Sequence, residues 1–242
     1  AGNTIGELME TYLERIVGEN VYNYYGRQFP LLVKFLDING KLSVQVHPDD
    51  EVAAERYDSL GKTEMWYILD CEEGASLYYG LKREASKEEV KKRIADGTLT
   101  EILNEVKVKK GDVFFIEAGT IHAIGAGIII CEIQQNSNTT YRVYDYNRRD
   151  KNGNLRELHV DKALAVSNLC PPPALKKADA SDDTILASCK YFTVRALKVD
   201  GEKTVQMSKK CFNSVIITEG EGKLTLGDET LDLKKGDSVF IP

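Results

Sequence analysis

The sequence predicts a mainly β protein, a small β-barrel or sandwich with a few helices, built from two related modules. Three observations carry this prediction. Short segments alternate apolar and polar residues with a period of two, the mark of strands buried on one face, and Gly-bearing turns separate them. Little helix-period sequence lies between those segments. An eight-residue stretch also occurs twice: Lys109–Lys110–Gly111–Asp112–Val113–Phe114–Phe115–Ile116 and Lys234–Lys235–Gly236–Asp237–Ser238–Val239–Phe240–Ile241 agree at six of eight positions. Both copies follow alternating strands, so the repeat reads as two β modules, residues 1–170 and 171–242, joined at Pro171–Pro172–Pro173. The second copy stops at Pro242 in mid-pattern, which implies that the natural chain continues.

In chain order, Thr4–Ile5–Gly6–Glu7 opens a helix expected to reach about Val17. Ser86–Lys87–Glu88–Glu89 opens a charged helix that stops at Asp96–Gly97, and Thr98–Leu99–Thr100–Glu101 opens a short one. In each, a hydroxyl and a carboxylate three residues apart can satisfy one another's free backbone N–H groups. A further helix is expected from Asp161 to Asn168, before the three prolines. Alternation places strands at Leu31–Val33–Phe35, Leu42–Val44–Val46, Met65–Tyr67–Leu69 and Tyr141–Val143. The later strands are Phe192–Val194, Val215–Ile217, Leu224–Leu226 and Leu231–Leu233.

The chain has 242 residues, 42% hydrophobic and 29% charged, with a net charge of −6, which is the make-up of a globular protein. No apolar run approaches the roughly 20 residues of a membrane helix. No secretory leader pattern is visible. The acidic balance and the lack of a basic face argue against nucleic acid and anionic membranes as partners. Five scattered cysteines without CxxC spacing read as reduced thiols, and the expected compartment is the cytoplasm.

Chemistry concentrates in three segments. In Leu42–Ser43–Val44–Gln45–Val46–His47–Pro48, a two-residue period puts Ser43, Gln45 and His47 on one face. Gln45 and His47 are then about 6.5–7 Å apart and point the same way. In Gly61–Lys62–Thr63–Glu64–Met65–Trp66, Lys62, Glu64 and Trp66 share a face. The third segment runs from Gly111 through a Gly119 turn to His122. Imidazole, carboxylate and amide ligands suit a borderline divalent ion such as zinc, and the lack of thiolates points to an open site. Two packed or surface histidines fit the same spacing, and periodicity does not choose between the two readings.

Gly111, Gly119 and His122 match the second motif of the cupin family, Gly-x5-Pro-x-Gly-x2-His, with Glu117 standing where proline is usual. In the second copy, Gly236-x5-Pro242 keeps the proline. The segments Leu42–Asp50, Gly61–Trp66, Ala118–Gly127 and Cys131–Arg142, in that order, resemble type I mannose-6-phosphate isomerases in their shorter bacterial form. The resemblance runs from about Phe29 through Leu169 and weakens beyond. Members of that family begin with a further stretch carrying a Trp-Gly pattern that is not found here.

The resemblance implies a jelly-roll β-barrel and one zinc ion held by Gln45, His47, Glu64 and His122. It also implies interconversion of mannose 6-phosphate and fructose 6-phosphate through an enediol(ate). Arg142 matches a residue at the family's catalytic centre, and Glu132 one that lines its pocket. Beside the resemblance, Lys62 lies near the metal position and reads as a proton-transfer group or as a plain ion pair. Ser43 and Arg148 are candidates for gripping the phosphate; a strand-end cap and a solvated loop arginine are the alternatives. Arg142 is expected to share a face with Tyr144 and Tyr146, and His159 to pack at the entry of the Asp161 helix. A non-catalytic sugar-binding cupin and an iron dioxygenase are the competing functions. The expected partner is a small sugar phosphate, and oligomeric state is left open.

Overall fold

The computed structural model describes residues 2–173 and 183–242. The helices are α1 (Ile5–Tyr12), α2 (Glu14–Val17), α3 (Glu19–Tyr25), α4 (Asp50–Tyr57), α5 (Lys87–Ala95) and α6 (Val160–Val166). The strands are β1 (Leu31–Ile38), β2 (Val44–Val46), β3 (Glu64–Cys71), β4 (Ser76–Leu81), β5 (Leu103–Lys107), β6 (Val113–Ile116), β7 (His122–Ile124), β8 (Ile128–Gln135), β9 (Tyr141–Tyr144), β10 (Thr184–Ser188), β11 (Thr193–Ala196), β12 (Asn213–Ile216), β13 (Glu221–Leu226), β14 (Glu229–Lys234) and β15 (Ser238–Ile241). The capping pair at Thr4 and Glu7 forms in full, but Leu13 takes φ 50 and splits the expected long helix into α1 and α2. Ser86 caps α5. Thr98 lacks the extended backbone of a helix cap, makes no side-chain cap, and starts only a 3₁₀ turn, Leu99–Glu101.

The chain forms two compact units, Leu31–Lys198 and a second made of Ala1–Pro30 with Val199–Pro242. This division differs from the expected modules 1–170 and 171–242. In the smaller unit the N–H groups of Glu19 and Asn20 donate to the carbonyls of Lys209 and Lys210, and Phe212 N–H donates to Val17 O. Phe29 also packs on Phe212 and Phe240. A cut made along the sequence does not register a terminus that returns to the other end. The repeated segment folds alike in both units. Asp112 and Asp237 each accept from the backbone N–H three residues earlier, of Lys109 and Lys234, at 2.9 and 2.8 Å. Gly111 and Gly236 both turn at positive φ, 89° and 93°.

The larger unit contains an antiparallel sheet in the order β1-β8-β3-β6 and another in the order β5-β4-β7-β2-β9. Trp66, Ile68, Phe114, Ile128 and Ile130 of the first pack with Leu77, Tyr79 and Ile124 of the second. Val44, Val46, Ala123 and Val143, on the opposite face of the five-stranded sheet, pack with Val90 and Ile94 of α5 and Ala163 and Leu164 of α6. Because strand side chains alternate, Val44 and Val46 toward the helices leave Gln45 aimed at the interior between the sheets.

Two parity expectations change. In β1 the face toward the core is Lys34, Leu36 and Ile38, while Phe35 is 50% exposed. In β9, Val44 pairs with Tyr144 but Gln45 pairs with Arg142, so Val143 is an extra, bulged residue. The bulge sends Tyr144 to the helix side with Val143 and away from Arg142.

Gly119 ties this frame together at φ 88. Its N–H donates to His47 O and its carbonyl accepts from Asn168 N–H, both at 2.8 Å. A Cβ there would lie 2.8 Å from Val166 O. Gly119→Ala should therefore lower unfolding free energy by roughly 2 kcal/mol, measured by urea denaturation; an unchanged midpoint would contradict this account of the turn.

Candidate metal centre and active site

Three strands bring the ligand candidates together. Gln45 on β2 is the direct partner of His122 on β7, and His47 follows β2 by one residue. Glu64 opens β3 in the facing sheet, paired with Ile116 and Gln134. His47, Glu64 and His122 are all buried, and their ligand atoms lie within 4.8 Å of one another. Nε2 of His47 is 3.7 Å from Glu64 Oε2, and Nε2 of His122 is 3.4 Å from Glu64 Oε1.

The far nitrogens fix the ring orientations. His47 Nδ1 faces Thr139 O at 3.0 Å, and His122 Nδ1 faces Thr120 O at 2.8 Å. A carbonyl only accepts, so each Nδ1 carries the proton and each Nε2 presents a lone pair inward. Burial holds the His47 imidazole well below its ordinary pKa, with the positive charges of Lys62 and His122 adding to the effect. Burial lowers His122 too, against the opposing pull of Glu64. Two imidazole lone pairs and a carboxylate thus converge in a dry interior, and Glu64 Oε1 is buried with no hydrogen-bond partner. That donor set fits a divalent cation. The Gln45 amide lies against His122 Nε2 at 3.3 Å, and rotating the amide brings its oxygen to the same place.

The Lys62 ammonium donates to Glu64 Oε2 and to His47 Nε2, the latter at 3.1 Å. It is buried and is the nearest positive charge to the Glu64 carboxylate. Glu132, also buried, accepts from Lys34 Nζ at 2.7 Å and from the Trp66 indole at 3.2 Å. Trp66 is buried among core residues and meets the His122 ring edge-on at 5.3 Å, so it serves as a wall that carries one polar handle. Sequence reasoning missed Lys34. A lysine between Val33 and Phe35 was the available signal, but its partner lies across the β1–β8 pairing, 98 residues away.

Arg142 lies next to Gln45 on the site face of the five-stranded sheet. Its Nη1 donates to Glu157 O at 2.7 Å, and its Nε is buried with no partner. Burial lowers its pKa, and the charges of Arg156 and Arg148 push the same way. Arg148 follows a turn in which Tyr146 and Asn147 both have φ 55. It pairs with Asp145, donates to Lys41 O and stacks 5.6 Å from the Tyr146 ring. Arg156 also reaches Asp145, at 3.6 Å. Three arginines around one buried carboxylate make a locally positive region in an acidic chain. Ser43 is buried one residue before β2.

Two facing antiparallel sheets with His, Glu and His turned into the space between them define a protein of the cupin class. Comparison with known proteins agrees and is narrower. The family description "Phosphomannose isomerase type I, catalytic domain" matches residues 2–75, and "Mannose-6-phosphate isomerase, cupin domain" matches residues 182–242. The chain is 41% identical to mannose-6-phosphate isomerase ManA of Bacillus subtilis, over 100% of this chain and 76% of that protein. It is 42% identical to mannose-6-phosphate isomerase of Streptococcus mutans, over 88% of this chain and 68% of that protein. The crystal structure of the Bacillus subtilis mannose 6-phosphate isomerase matches with a TM-score of 0.84 and 38% identity, over 99% of this chain and 76% of that one. The chain belongs to the type I mannose-6-phosphate isomerase family, whose members are aldose–ketose isomerases.

Removing the Lys62 ammonium would strand Glu64 as a buried carboxylate. Lys62→Met should cost about 3 kcal/mol of stability in chelator, and saturating zinc should return part of it, because a ligand that binds only the folded state stabilises it. Denaturant titration with and without zinc reads both effects; a variant as stable as its parent in chelator would refute the pairing.

Proposed function

We propose that this protein interconverts mannose 6-phosphate and fructose 6-phosphate through an enediol(ate), with one zinc ion held by Gln45, His47, Glu64 and His122. The observation that carries the reading is the inward convergence of two Nε2 lone pairs on the Glu64 carboxylate, whose Oε1 has no hydrogen-bond partner, inside a fold shared with mannose-6-phosphate isomerases. Bound there, the metal would supply Lewis acidity toward the carbonyl and hydroxyl oxygens of the sugar. The protein's own groups do the rest.

Lys62 and Glu132 are the groups we assign to proton movement. In the aldose-to-ketose direction a proton leaves C2, the enediol(ate) forms, and a proton is added at C1. Lys62 presents an ammonium that can hold or release a proton toward a substrate oxygen. Glu132 is a carboxylate kept in place by Lys34 and Trp66. Arg142 offers its unpartnered Nε edge to an anionic oxygen of the substrate, at a point where charge develops. Arg148 and Ser43 are assigned to the phosphate, whose charge the positive region around Asp145 favours. The five cysteines are free thiols, and on that ground we assign the enzyme to the reducing cytoplasm.

A coupled isomerase assay tests the reading. Chelation should abolish turnover of mannose 6-phosphate, and zinc should restore it. Arg142→Ala should lower kcat/KM by roughly 10²–10³-fold in folded, zinc-loaded protein. Full activity after exhaustive chelation would remove the metal from the proposal, and zinc-loaded protein that never forms fructose 6-phosphate would end it.

A further inference from the structure

Arg142 is held at three atoms by one short segment, residues 157–159. Its backbone N–H donates to Nδ1 of His159 at 3.0 Å, its carbonyl accepts from the His159 N–H at 2.8 Å, and Nη1 donates to the Glu157 carbonyl at 2.7 Å. The need for such a hold follows from the fold. β9 is the edge strand of its sheet, with β2 on one side only. The bulge at Val143 interrupts the β2–β9 ladder next to Arg142. The N–H of Arg142 therefore finds its acceptor on the outer side, in an imidazole.

The imidazole is not used as the helix entry would use it. His159 is the residue before α6, yet its side chain makes no cap bond to that helix. It turns back to Arg142 instead. To accept a backbone N–H, Nδ1 must be unprotonated, so the ring proton sits on Nε2, where the Glu157 carboxylate lies 3.8 Å away. Nη1 is committed to a carbonyl, and Nε is left buried without a partner.

We infer that His159 is a positioning residue, one that acts through Arg142 and holds its Nε edge toward an anionic oxygen of the substrate. The inference rests on the reading of Arg142 as a substrate-contacting group. Loss of the imidazole acceptor leaves the Arg142 N–H without its partner and lets the edge of β9 shift, and displacements of this order cost roughly 10–100-fold in rate.

The test is a double-mutant cycle on the zinc-loaded full chain. His159→Leu removes the acceptor, and His159→Asn keeps an oxygen close to the Nδ1 position. The expected results are a loss of at least tenfold in kcat/KM for H159L, recovery of most of it in H159N, and no further loss when H159L is added to R142A. If H159L does not fold, His159→Gln, which lacks an acceptor at the Nδ1 position, takes its place in the cycle. Equal losses from H159L in the wild-type and R142A backgrounds would assign His159 a role apart from Arg142 and overturn the inference. So would an H159N no better than H159L. An impaired R142A beside a fully active H159L refutes the clamp alone, whereas a fully active R142A refutes the reading of Arg142 beneath it.

Discussion

A carboxylate with no solvent exposure, at the meeting of two β-sheets, is the constraint on which the rest of this structure depends. Glu64 is 0% exposed, and an ion in such a place is tolerated only if opposite charge or strong donors surround it. The fold answers with the Lys62 ammonium two residues before it on the chain. Two imidazoles from the opposite sheet turn their lone pairs toward the carboxylate and complete with it a donor set for a cation. The imidazoles can serve only because backbone carbonyls at Thr139 and Thr120 hold their outer nitrogens. Those carbonyls are in turn placed by the segments flanking β9 and by the Gly119 turn. The site is thus a consequence of main-chain geometry several residues removed from the side chains that define it.

What was readable from sequence follows from which features are local. Strand parity is local, so Gln45 with His47, and Glu64 with Lys62, could each be assigned to one face of their own strand before any fold was known. The aspartate turn of the repeated Lys-Lys-Gly-Asp segments is local as well, and it recurs with the same hydrogen bonds in both units. Motifs in the right order then supplied the long-range information that periodicity lacks, bringing His122 and Arg142 to the same centre.

What was not readable had non-local or ambiguous causes. β1 is apolar on both faces at its start, so alternation favoured Leu31, Val33 and Phe35, while pairing with β8 selected Lys34, Leu36 and Ile38. The Lys34–Glu132 contact exists only once that pairing is known. The unit boundary depended on the N-terminal segment meeting the residues before β12 and Phe240 of β15, which no local pattern records. The role of His159 was hidden for a similar reason: helix-entry position describes its backbone, while its ring answers to a strand 17 residues earlier.

The single extra residue in β9 has a consequence for how this strand tolerates change. Because two residues of β9 stand against one of β2 at the bulge, Arg142 opposes Gln45 on the site face while Tyr144, two residues on, opposes Val44 on the helix face. Were the ladder to run without the bulge, Val143 would oppose Val44 and Tyr144 would turn into the reaction space on the side of Arg142. The register of this short strand is therefore a chemical parameter of the enzyme, as much as the identity of any residue in it.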